Sequence, residues 1–114
     1  MRVRFLSPAE REYLVALEYY TAQASDLGSA FLDDLDHAAA LLGEHQHVGA
    51  VLDGEIRRLL LRRFPYSLIY AVEADEVVIL GVQHQSRHPD LSWSSVNRTT
   101  DSPAVGSGSA GAFG

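Results

Sequence analysis

Ser67-Leu68-Ile69-Tyr70-Ala71-Val72-Glu73-Ala74-Asp75-Glu76-Val77-Val78-Ile79-Leu80-Gly81-Val82-Gln83-His84 is the stretch that decides the fold. Aliphatic, mostly β-branched, and aromatic residues fill both halves, and Ala74-Asp75 divides them. The pattern predicts two strands, 67–73 and 77–84, joined by a tight hairpin. Upstream lies Ile56-Arg57-Arg58-Leu59-Leu60-Leu61-Arg62-Arg63-Phe64-Pro65-Tyr66. It predicts a third strand over 55–63 and then a turn, because Pro65 has no N–H to give to a ladder. Here the alternation is untidy. Ile56 and Leu60 share a parity with Arg58 and Arg62, and Leu59 and Leu61 share one with Arg57 and Arg63. A bulge, a strong twist, an edge position or a covering partner would each relieve the conflict.

Working outward, Val3 and Phe5 alternate with Arg2 and Arg4, which predicts a short half-buried strand near the N-terminus. Ser7-Pro8-Ala9-Glu10 follows, with Ser7 as an N-cap, Pro8 in the first turn and Glu10 closing a capping box. A helix is expected to about residue 24, with Tyr13, Leu17, Tyr20 and Ala24 on one face and Glu12 and Glu18 in solvent. Ser25 or Asp26 is expected to cap a second helix. Phe31, Leu35, Ala38 and Leu42 form its apolar stripe, with Asp33, Asp34 and Asp36 largely off it. Gly43 is a natural stop. Residues 44–54 are expected to be a polar loop.

The predicted fold class is therefore α+β, in the order β-α-α-β-β-β. A helical hairpin packs on one face of a mostly antiparallel four-stranded sheet, and the other face is free for a partner. The domain is expected over residues 1–93. Residues 94–114 are rich in Ser and Gly without periodicity, predict disorder, and should be removable without loss of the fold.

With 114 residues, one core-bearing domain is expected. The absence of cysteine excludes disulfides, thiolate chemistry and Cys-type zinc sites. No apolar run approaches a membrane span, and Met1-Arg2-Val3-Arg4-Phe5 does not read as a signal peptide, so a cytoplasmic protein is expected. The net charge is −6, and all nine cationic side chains are arginine. Generic nucleic-acid binding by counterion release is disfavoured by that balance. Arg57, Arg58, Arg62 and Arg63 nonetheless fall where no acid intervenes. With the neighbouring aromatics they suit phosphate, carboxylate or stacked-base contacts, or ion pairs with the acids of the helices. His84-Gln85-Ser86-Arg87-His88-Pro89 closes the last strand. His84 there fits a general acid or base, or a hydrogen-bonded capping role, and Arg87 fits charge neutralisation. His45 and His47, near Glu44 and His37, match no metal-ligand spacing, so neither a metal nor another cofactor is expected.

The order of these motifs resembles the RelE/ParE toxin superfamily of type II toxin–antitoxin systems. The resemblance rests on Ser7-Pro8-Ala9-Glu10, Tyr19-Tyr20, Leu27-Gly28 with Phe31, Ile56-Arg57-Arg58, Arg63-Phe64-Pro65-Tyr66 with Tyr70, and His84-x-x-Arg87-x-Pro89 ahead of Trp93. It implies the β-α-α-β-β-β fold, a cognate antitoxin as partner, and a role in growth inhibition or plasmid maintenance. Two activities are known in the superfamily. RelE-like members cut mRNA on the ribosome and carry an arginine where this chain has Ser67. ParE-like members are associated with inhibition of DNA gyrase, by binding rather than catalysis. Ser67 and the absence of lysine place the chain nearer ParE. The target-binding residues so implied are Arg57, Arg58, Arg63, Tyr66, Arg87 and Trp93. Under the nuclease alternative the candidates are Arg63, His84 and Arg87. A third reading is an inactive member that binds only its antitoxin.

Overall fold

A computed structural model describes residues 1–86. Strand β1 (Arg2–Phe5) is followed by helices α1 (Ser7–Gln23) and α2 (Ser25–Glu44), then β2 (Ala50–Asp53), β3 (Ile56–Leu60), β4 (Tyr66–Val72) and β5 (Glu76–His84). The sheet has five strands in the order β1-β5-β4-β3-β2, one more than the sequence predicts. The extra strand lies inside the expected 44–54 loop. Within β2 only Val51 and Leu52 are large and apolar, too short a run to signal a strand, and pairing with β3 supplies what propensity lacks. β3 is thereby an interior strand. β1 runs parallel to β5, and every other pairing is antiparallel.

The two helices are joined by one residue. Ala24 is extended (φ −165°, ψ 136°). Its N–H closes α1 on the Tyr20 carbonyl at 3.1 Å, and its own carbonyl accepts the Leu27 N–H at 3.0 Å to open α2. The caps therefore fall on Leu6 and Ala24, ahead of the expected Ser7 and of Ser25 or Asp26. So sharp a reversal forces the helices together at Gly28, where a Cβ would lie 3.1 Å from Thr21 Cβ. α2 continues past Gly43 to Glu44, and the Gly43 carbonyl accepts from the N-terminal ammonium at 2.9 Å. A cation at a helix C-terminus is favourable there.

The hairpin packs on one face of the sheet. Phe31, Leu35, Ala38 and Leu42, the predicted stripe, meet Leu68, Tyr70, Val77, Ile79 and Val82. β5 carries a bulge between the pairs Ile69–Gly81 and Tyr70–Ile79, which returns Val82 and His84 to the helix side. The Val82 N–H at this bulge is taken by Glu12 Oε1 at 2.8 Å. Glu12 is thus a cross-link from α1 to the sheet and not the solvated residue that helical spacing suggests.

The opposite face is not the open surface expected. Ile69, Ala71, Val78 and Leu80 are fully buried there, with Leu6 and Ile56, in a second apolar cluster to which neither helix contributes. At its margin Arg2 and Arg4 flank Glu76, at 3.4 and 3.3 Å. The hydrogen bond from Arg4 is the leading cause that holds the Glu76 carboxyl below its ordinary 4.5. A depressed acid contributes stability above its unfolded pKa and loses it as pH falls through the folded value. Glu76→Gln is therefore expected to lower stability at neutral pH and to flatten the acid limb below about pH 4.5. Urea midpoints measured across pH 3–7 test this, and parallel curves for the two proteins would refute it.

Candidate functional site

At the end of the sheet where β4 begins and β5 finishes, Tyr66 pairs with His84. Their rings sit 5.3 Å apart, edge to face. Both project to the helix side, where Tyr20 of α1 lies 6.3 Å from Tyr66 and 4.8 Å from Phe64. Phe31 of α2 touches both Phe64 and Tyr66. An open groove of about 450 Å³ results, lined by Val15, Tyr19, Tyr20, Gln23, Tyr66 and His84. Partial burial pushes the phenols of Tyr20 and Tyr66 above the usual tyrosine range, so both remain neutral hydroxyls near pH 7. His84 is exposed, with Nδ1 2.8 Å from Ser86 Oγ, and the Gln85 N–H donates to the Pro65 carbonyl at 2.8 Å. The turn after β3 and the exit from β5 are thereby tied into one unit.

That turn is held from below by Asp34. Its carboxylate is only 4% exposed and accepts three successive backbone N–H groups, from Arg62 (3.3 Å), Arg63 (2.9 Å) and Phe64 (3.0 Å). Here the sequence misleads, because an acid among Asp33, Asp34 and Asp36 reads as one of a solvated group. The clamp seats Phe64 in the aromatic cluster and leaves the side chains of Arg62 and Arg63 exposed. Arg62 Nη1 meets His37 Nε2 at 2.8 Å.

The four arginines of 57–63 do not share a strand face. β3 ends at Leu60, so Arg62 and Arg63 belong to the turn. Arg57 points to the helix side and donates to the carbonyls of His47 (3.0 Å) and Gly49 (2.8 Å). It is spent on fixing the 45–49 loop. Arg57 pairs with Tyr70, four positions along β4 from Tyr66 and hence on the order of 13 Å from the sheet end. Arg58 pairs with Ile69 and lies on the second face, half-buried. These placements resolve the untidy alternation: the strand stops, and its two arginines have separate surroundings. Of the expected target-binding residues, Arg63 and Tyr66 lie at one end of the sheet, and His84, a candidate under the nuclease alternative, pairs with Tyr66 there. Arg87 and Trp93 lie outside the described residues, as does the 94–114 tail.

Ser67 lies away from the groove. It sits on the second face, 2% exposed, beside Gln83. Val15, which lines the groove from α1, carries no motif signal, and Tyr19 enters the sequence reading only through the Tyr19-Tyr20 pair and as helix packing; their exposure (71% and 60%) marks them. His37, Glu44, His45 and His47 do not form a metal-binding set, and no group of three such residues does so among the described residues. No helix among them is long and apolar enough to cross a membrane. The chemistry on offer is a cationic turn beside tyrosine hydroxyls and an imidazole, suited to recognition of a polar or anionic surface.

Residues 3–89 match the family model of the ParE toxin of type II toxin–antitoxin system, parDE. The solved chromosomal ParDE toxin–antitoxin system from P. aeruginosa is similar in fold, with a TM-score of 0.64 at 20% identity, covering 74% of this chain and 95% of that one. The toxin–antitoxin complex RelBE2 from Mycobacterium tuberculosis aligns with a TM-score of 0.48 at 24% identity, covering 75% and 92%. No curated protein matches the sequence.

Proposed function

We propose that this chain, which belongs to the ParE toxin family of type II toxin–antitoxin systems, arrests growth in the cytoplasm by binding a target such as DNA gyrase, and is neutralised by a cognate antitoxin. The observation that carries the reading is the position of Ser67. Phosphodiester cleavage needs charge stabilisation of the transition state and proton transfer at one place. Ser67 stands where RelE-like nucleases carry an arginine, and it is buried on the face away from His84 and Tyr66. What remains at the sheet end is an exposed turn with Arg63, backed by a rigid aromatic floor. An exposed arginine on a turn whose backbone is clamped, next to Phe64 in the aromatic cluster, has the character of an interface anchor. The exposed Val15 and Tyr19 on α1 line the same groove, so an antitoxin seated on them would cover the target-binding end as well. A solved relative that is a toxin–antitoxin complex supports that partner by analogy.

Induced expression with two readouts tests the proposal. Filamentation and DNA damage with intact mRNA are expected, and rapid mRNA cleavage near start codons would overturn it in favour of a ribosome-dependent endonuclease. Arg63→Ala and Arg87→Ala are expected to weaken target binding roughly tenfold or more, the scale of a lost interface anchor. The unfolding midpoint of Arg63→Ala should be unchanged, because the Arg63 side chain is exposed and only its backbone is clamped. Undiminished toxicity in both variants would remove this surface from the reading.

A further inference from the structure

His84 reaches the groove only because β5 changes step. β1 stops at Phe5, opposite Ile79, and the Leu6 N–H donates the last bond of that ladder to the Ile79 carbonyl at 2.9 Å. Residues 80–84 run on past the end of β1, still paired to β4 on their other edge. The bulge lies in this overrun. Tyr70 pairs with Ile79 and Ile69 with Gly81, so Leu80 is an inserted residue. Side chains alternate along a strand, and one inserted residue reverses every side chain beyond it. A ladder without the insertion would pair Ile69 with Leu80 and Leu68 with Gly81, and would set Gln83 opposite Tyr66. In the bulged ladder His84 stands there. The bulge thus decides whether an amide or an imidazole faces the groove.

Glu12 meets the strand at this point. Its Oε1 takes the Val82 N–H at 2.8 Å, two residues beyond the insertion and on the edge that β1 has vacated. A carboxylate that accepts a backbone N–H makes a charge-assisted bond, roughly twice as strong as a neutral one. The helix is built to bring it there. Ala9 and Ala16 stand three residues before Glu12 and four after it, on the same face of α1, and both are buried. Side chains that small let the helix close on β5, so that one of glutamate length spans the gap to the backbone. The other edge is held by Pro65, whose carbonyl accepts the Gln85 N–H at 2.8 Å.

We propose that Glu12 is a positioning residue of the groove: its carboxylate pins the bulge in β5 and so sets His84, in place of Gln83, against Tyr66. It acts through the Val82 backbone. Bulges beside working surfaces commonly re-aim a side chain in this way. The proposal rests on the reading of this end as the target-binding surface only for its effect on toxicity.

NMR of the isotope-labelled full chain tests it with three variants. Glu12→Leu keeps the bulk and removes the acceptor, Glu12→Gln keeps an acceptor oxygen at the same reach, and Glu12→Asp is one methylene short. In Glu12→Leu the Val82 amide should exchange roughly tenfold faster or more, while the Tyr70 amide in mid-β4 keeps its slow exchange, as a local opening requires. The rings of His84 and Tyr66, 5.3 Å apart, should give a nuclear Overhauser contact in the parent and in Glu12→Gln and lose it in Glu12→Leu and Glu12→Asp. Equal acceleration at Val82 and Tyr70 would make Glu12 a general stabiliser and overturn the proposal. A ring contact that survives in Glu12→Leu and Glu12→Asp, or disappears in Glu12→Gln, would overturn it too. Glu12→Asp supplies both readouts if the leucine variant does not fold. Induced expression then separates this proposal from the reading it builds on. Growth arrest lost in Glu12→Leu and kept in Glu12→Gln supports both. Undiminished arrest in a Glu12→Leu protein whose ring contact is gone upholds the positioning by Glu12 and removes the groove from the target-binding surface.

Discussion

Asp34→Ala is expected to destabilise the protein by about 3 kcal/mol or more, since removing a charged acceptor strands buried donors at about 1–3 kcal/mol each. Three N–H groups share that one carboxylate. The exposed side of the turn lets water reach some of them, which holds the total below the sum of three full penalties. For a domain of this size, the corresponding fall in Tm is roughly 12–24 °C. Asp34→Asn retains one acceptor oxygen and should fall between the two. Thermal and urea unfolding measure the loss, and hydrogen exchange at Arg62, Arg63 and Phe64 localises it. A Tm within two or three degrees of the parent would show that the turn is held by its aromatic packing alone. The same variant should also release Phe64 from the cluster of Tyr20, Phe31 and Tyr66 and disorder the proposed target-binding end.

Gly49→Ala is expected to cost about as much by a different route. The backbone at Gly49 is ordinary, so the demand is for space. A Cβ there would lie 2.7 Å from the Arg58 carbonyl oxygen, 2.7 Å from the Tyr70 hydroxyl and 2.8 Å from Tyr70 Cε1. Neither neighbour can yield: one belongs to an interior strand and the other to a fully buried ring. The 45–49 loop must swing outward. It then loses the bond from the Gly49 N–H to the Tyr70 hydroxyl (2.9 Å), that from Tyr70 to the Gln46 carbonyl (2.8 Å) and both Arg57 contacts. Strain of about 1–3 kcal/mol adds to a buried hydroxyl left short of partners, at about 1–3 kcal/mol. Tyr70→Phe separates the two causes, because it removes the hydroxyl without the clash and should cost about 1 kcal/mol. Equal losses in Tyr70→Phe and Gly49→Ala would refute the steric account.

Periodic elements were readable in the sequence, and elements defined by distant partners were not. Phe31, Leu35, Ala38 and Leu42 announce a buried helix stripe by spacing alone, and all four are in the core. The β4–β5 hairpin is equally plain, because two long apolar runs can hardly do anything else. β2 escapes notice because two apolar residues carry no period and the strand exists only through β3. Asp34 and Glu12 escape for a related reason. Each serves backbone N–H groups at least 28 residues away, and local pattern assigns an acid on a helix to solvent. The arginine stretch shows the reverse error. Adjacency in sequence suggests one cationic face, but the end of β3 at Leu60 and the alternation of side chains send Arg57, Arg58 and Arg63 to three different surroundings. Of the candidate site, the pairing of Tyr66 with His84 follows from the hairpin register, whereas the groove that α1 adds depends on a helix packing angle that no motif encodes.

The parallel pairing of β1 with β5 also bears on how the molecule is made. Arg2 lies opposite Glu76 in that ladder, so the first strand synthesised waits for β5 before it has a neighbour. The helical hairpin likewise rests on β5, which is the sheet's second strand in space and, among the described residues, its last in sequence. A nascent chain that ends before residue 76 has therefore neither a closed sheet nor a floor for its helices. Long-range pairings of this kind slow the search and make folding all-or-none. A translation product interrupted before β5 is therefore expected to lack the folded domain altogether.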